Sequence, residues 1–119
     1  MLAVAALCLA LLGCSPLPRL SADDVDTAQF WAMLPGSNTK WIASSEDVHR
    51  FLEAYEHTRR VSDDWETTPA GRIDVKLKVG RRLVVWGGGQ HFQTIEWEGR
   101  RFNVNGDELD TLLREIAAK

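Results

Sequence analysis

Ile73-Asp74-Val75-Lys76-Leu77-Lys78-Val79 alternates apolar and charged residues without a break, and its reading decides the fold. Successive side chains of a strand point to opposite faces, so Ile73, Val75, Leu77 and Val79 share a face suited to a core. Asp74, Lys76 and Lys78 then share a face suited to water. Gly80-Arg81 offers a tight turn, and the residues from Arg82 to Trp86 read as a returning strand. Its Leu83-Val84-Val85-Trp86 is apolar on both faces, as a central strand would be. Beyond Gly87-Gly88-Gly89 the alternation resumes over residues 93–97, with Ile95 and Trp97 on one face and Thr94 and Glu96 on the other. Glu98-Gly99 supplies a second turn, after which Phe102 and Val104 continue the apolar face.

Outward from these strands the period changes. Val48, Phe51, Leu52 and Tyr55 fall at i, i+3, i+4 and i+7, which predicts a helix starting at Ser44 or Ser45 and ending near Arg59. On the other side, Asn105 stands three residues before Glu108 like a capping box, and Leu109, Leu112, Leu113 and Ile116 form the stripe of a closing helix. Ser21 followed by Asp23 and Asp24 reads as an N-cap with acidic residues in the first turn, predicting a short helix to about Met33. Pro35-Gly36-Ser37-Asn38 then breaks the chain before a brief strand at Lys40-Trp41-Ile42-Ala43, and residues 61–71 carry loop chemistry. The expected order is α-β-α-β-β-β-β-α. This is an α+β fold, an antiparallel four-stranded meander with helices packed on one face.

At the amino terminus, residues 1–12 are apolar and uncharged, too few for the ~20 needed to span a bilayer but suited to a signal h-region. Leu11-Leu12-Gly13-Cys14 closes this run and resembles the lipobox at which bacterial lipoprotein signal peptides are cut before a cysteine. The resemblance implies residues 1–13 as a removed signal peptide and Cys14 as the lipidation site, carrying diacylglyceryl and an amino-terminal acyl chain. Residues 14–22 would be a short tether stiffened by Pro16 and Pro18, and 23–119 a single small domain. Two or more acyl chains anchor a protein stably. Ser15, rather than Asp, after the lipidated cysteine implies the periplasmic face of the outer membrane, with the inner membrane as the alternative.

With Cys8 removed and Cys14 acylated no thiol remains, which excludes disulfides and cysteine-based zinc or redox sites from the mature chain. The net charge of −3 gives no support to nucleic-acid binding.

Candidate chemistry is sparse. His49, Glu53 and His57 repeat every four residues, but opposite the apolar stripe of their helix, on a convex face without a second shell for a metal. Trp86-Gly87-Gly88-Gly89-Gln90-His91 lacks the Lys-Ser/Thr of a phosphate loop, and reads as a wide turn or bulge with Trp86, Gln90 and His91 as a candidate contact rim. The pairs Arg81-Arg82 and Arg100-Arg101 flank hairpin turns and would make a cationic edge if the turns share one end of the sheet; Arg59-Arg60 is a third pair. Of five tryptophans, Trp97 follows the buried parity of its strand. Trp86 does not, and Trp65 sits in an acidic stretch, so both are candidate binding anchors.

The expected function is therefore a non-catalytic, lipid-anchored binding module: an accessory subunit, assembly factor or inhibitor with a protein partner in the cell envelope and no cofactor. The speculative partner-binding set is Trp65, Trp86, Gln90, His91, Arg81, Arg82, Arg100 and Arg101. One alternative is a small-ligand or lipid carrier, which requires an apolar cavity between sheet and helices. The other is an envelope hydrolase, which requires His91 to meet an acid such as Asp63, Asp64 or Glu66.

Overall fold

A computed structural model describes residues 17–33, 39–61, 69–88 and 92–119. Within them lie β1 (Val25–Ala32), β2 (Lys40–Ile42), α1 (Ser45–Glu56), β3 (Arg59–Arg60), β4 (Pro69–Leu77), β5 (Arg82–Gly88), β6 (Phe92–Trp97), β7 (Arg100–Asn105) and α2 (Asp107–Ala117). The strands form one seven-stranded sheet in the order β2-β1-β4-β5-β6-β7-β3, and every pairing is antiparallel. The class is α+β.

Four strands is an underestimate. The expected meander β4-β5-β6-β7 is present with β5 at the centre of the sheet, but β1, β2 and β3 extend it on both sides. Its turns use the backbone the sequence offers: Glu98 and Gly99 have φ 51° and 75°, and Gly80 has φ 89°. Val79 is an exception to the alternation. It lies in the turn after Leu77 and is 79 % exposed, because β4 ends before it.

The helix expected up to Met33 is a strand. Ser21 and Asp24 do form a capping box, but it closes only a 3-10 turn at Ala22–Asp24. From Val25 the chain adopts a period of two that buries Ala28, Phe30 and Ala32, and pairing with β4 and β2 overrides the local helix signal. Helix α1 ends at Glu56 rather than near Arg59, because Arg59–Arg60 pairs with Asn105 and Val104 of β7. The expected loop over 61–71 is shorter at its far end, since β4 begins at Pro69.

Both helices cover one face of the sheet. Leu109, Leu112, Leu113 and Ile116 of α2 and Phe51, Ala54 and Tyr55 of α1 join the inward residues of β1 and β4–β7 in one core. Within it Phe51, Ile73, Leu83, Ile95, Leu109 and Leu113 are fully buried. Helix α2 sits so close that a Cβ at Gly71 would lie 2.4 Å from the Leu113 carbonyl oxygen. At Gly88, φ is +92° and a Cβ would be 3.3 Å from the same carbonyl. Gly71 in β4 and Gly88 at the end of β5 thus allow a helix to approach.

The start of α2 also differs from expectation. Gly106, not Asn105, is the N-cap, and it makes no side-chain cap. Its N–H instead donates to Oε1 of the fully buried Gln93 at 3.0 Å, and a Cβ there would press on Thr58 Cγ2 at 2.8 Å. Residues 17–20 belong to the folded body rather than to a free tether. Leu17 and Leu20 pack on the core, and the Tyr55 hydroxyl donates to the Pro18 carbonyl at 2.6 Å.

Candidate functional site: the open face of the sheet

Period-two alternation that buries one side of each strand delivers the other side to a face that neither described helix covers. In register across it run Lys40, Trp31, Arg72, Trp86, Thr94 and Asn103, one residue from each of six strands. Trp31 and Trp86 are half-buried and stand on either side of Arg72. Lys40 Nζ lies 3.8 Å from the Trp31 ring centroid and the Arg72 guanidinium carbon 5.1 Å from it. Arg101 sits 5.5 Å from the Trp86 centroid. The negative ring faces draw these cations in and hold them in place. The Trp31 Nε1–H, packed away from water, has no acceptor.

Carboxylates order the same cations. Asp74 receives Arg72 through two bonds, at 2.6 and 3.2 Å, and Arg82 at 3.2 Å. Glu96 lies 3.8 Å from Arg101. The strand positions of this face carry six cations, Lys40, Arg59, Arg72, Lys76, Arg82 and Arg101, against the carboxylates Asp74 and Glu96. On a chain of net charge −3 this is a local excess of the opposite sign. Between Trp86, Arg72, Arg101, Glu96, Met33 and Pro69 runs an open groove of about 400 Å³.

The two arginine-flanked turns share one end of the sheet, where Arg81 pairs with Glu98 across them. Each doublet nevertheless splits between faces, because neighbours in a strand point opposite ways. Arg82 and Arg101 lie on the open face. Arg81 leans toward Trp97, 5.9 Å from its centroid, and Arg100 lies 5.3 Å from the centroid of the buried Phe102. The expected single cationic edge is thus two separate groups. Trp86 stands in the groove. Cys14, Trp65, Gln90 and His91 lie outside the described residues, as do Asp63, Asp64 and Glu66.

Sequence reading missed Trp31, Lys40 and Arg72. The signal for Trp31 was the spacing of Ala28, Phe30 and Ala32, a parity hidden by two alanines. On the helical side, His57 Nδ1 meets Glu108 Oε1 of α2 at 2.9 Å, so its partner is across the helices. That hydrogen bond, then the Glu108 charge, raises the His57 pKa above its ordinary value. Among the described residues no group of three His, Cys, Asp or Glu side chains is placed to hold a metal ion. No helix among them is long and apolar enough to cross a membrane.

No protein-family model, curated protein or solved structure matches the chain.

Proposed function

We propose that the mature chain is a lipid-anchored protein of the bacterial envelope, placed at the periplasmic face of the outer membrane, that acts by binding a protein partner rather than by catalysis. The open sheet face is its contact surface. The observation that carries this reading is the Trp31–Arg72–Trp86 row, half-exposed at the middle of the sheet and held rigid by ring contacts and by Asp74. Tryptophan and arginine are the residue types that most often dominate binding energy, and here both stand on strands rather than on loops. The excess of cations favours a partner surface bearing carboxylates beside an apolar side chain. A carrier role finds less support, since the side chains between the middle of the sheet and the helices are buried to 0–1 % exposure, and the cavity of about 530 Å³ at the sheet's edge is lined by Arg19, Glu56 and Arg60 as well as by apolar side chains.

The test is photo-crosslinking in intact envelopes from a reactive side chain introduced at Val84, beside Trp86, with a second at Glu53 on α1 as the control. One stoichiometric protein captured from Val84 and not from Glu53 supports the reading. Recovery of the chain alone from both positions overturns it.

A further inference from the structure

Six of the ten described arginines, at 50, 72, 81, 82, 101 and 114, have a carboxylate within ion-pair distance. The other four are Arg19, Arg59, Arg60 and Arg100, all exposed, and Arg19, Arg60 and Arg100 gather on the helical side at one edge of the sheet. Arg60 and Arg100 lean on the same ring, their guanidinium carbons 4.9 and 5.3 Å from the Phe102 centroid. Arg19 and Arg60 line one cavity of about 530 Å³ together with Leu17, Tyr55 and Thr58. Arg59, the neighbour of Arg60 in the edge strand β3, pairs with Asn105 and takes an open-face position instead. A ring face orients a guanidinium but does not neutralise it, so two like charges on Phe102 leave a place for an anion. Glu56 also lines the cavity yet makes no ion pair with either arginine there.

What stands nearest to this cluster is the root of the anchor. Tyr55 pins Pro18, and Leu17 forms part of the cavity wall. From Leu17 back to Cys14 is three residue steps, a reach of at most about 11 Å even when fully extended. The headgroup layer of one leaflet is itself about 5–7 Å thick. Lipid on Cys14 therefore brings this side of the domain to the level of the headgroup phosphates.

The geometry points to Arg19, Arg60 and Arg100 as a clamp for the phosphate groups of anionic lipid, which fixes the orientation of the domain on its membrane. This rests on the lipid-anchor reading above. Guanidinium matches phosphate bidentately, and two of the three groups are already ordered by Phe102. Each basic residue at an anionic bilayer surface shifts the contact equilibrium about five-fold, so losing two shifts it about 25-fold.

The experiment uses the full chain made and lipidated in bacteria, reconstituted into nanodiscs of phosphatidylcholine alone or with phosphatidylglycerol. Gadolinium chelated to the headgroups broadens nearby amide signals. Strong broadening at Arg60 and Val104 on phosphatidylglycerol discs is expected, weakening on phosphatidylcholine and in an Arg60→Gln/Arg100→Gln variant whose other amide signals are unchanged. Equal broadening of these amides on both disc types, or in the variant and the parent, overturns the clamp. Intact-mass analysis tests the anchor separately. If Cys14 is unmodified the anchor reading falls, and a Cys8→Ser chain coupled through Cys14 to a maleimide lipid decides the clamp by the same comparison.

Discussion

The two faces of the sheet are made by the same strands and have opposite characters. The covered face is a buried apolar core, and the helices over it turn an acidic outer surface to solvent: each carries four carboxylates and one arginine. The open face has tryptophans spaced by cations. In β5, Leu83 and Val85 are fully buried while Val84 and Trp86 stay half-exposed, one residue apart. Alternation along a strand is therefore enough to separate what holds the molecule together from what it offers to others. Charge is divided in the same way, so the molecule is polar along the direction that runs through its sheet.

Substitutions can break that contrast. Leu113→Ala, at the point where α2 meets Gly71 and Gly88, should remove about 3–4 kcal/mol of stability, read as a lower urea midpoint with an unchanged slope. Gln93→Leu should cost about 2 kcal/mol, because the Gly106 N–H would be buried with no acceptor; faster hydrogen exchange at that amide checks the cause. Trp86→Ala, in contrast, should cost only about 1 kcal/mol while weakening partner capture at least ten-fold. If it destabilised the chain as much as Leu113→Ala, the division between the faces would be false.

The smallest effect concerns the helical side. Because Glu108 raises the His57 pKa, the pair stabilises the fold fully below the ordinary histidine value, and the contribution fades as pH rises through the raised one. Glu108→Gln should return the His57 titration, tracked by NMR, toward its ordinary value and remove that dependence.

The strands β4 to β7 were legible because every level agreed: strict alternation, glycine where φ is positive, and turns of the right length. Strand β1 was not. Its cap, Ser21 with Asp24, is a genuine local signal for a single turn, but the conformation of Val25–Ala32 is decided by β4, which lies far away in sequence. Strand β3 is two arginines with no apolar pattern, held by backbone pairing to β7, and no sequence period marks such a segment. These misreadings also hid the site. With residues 25–32 taken as helix, Trp31 had no face, and its alignment with Arg72 and Trp86 arises only from the register of three strands. Trp86 alone was visible, through its parity.

The sheet ends on one side in β2, three residues long, and on the other in β3, two residues long. Edges so short present few consecutive free amide and carbonyl groups, although Ile42 in β2 is 67 % exposed. Chains held side by side on one surface meet far more often than chains in dilute solution. On the lipid-anchor reading proposed above, brevity at both borders gives neighbouring domains on one membrane little template to extend.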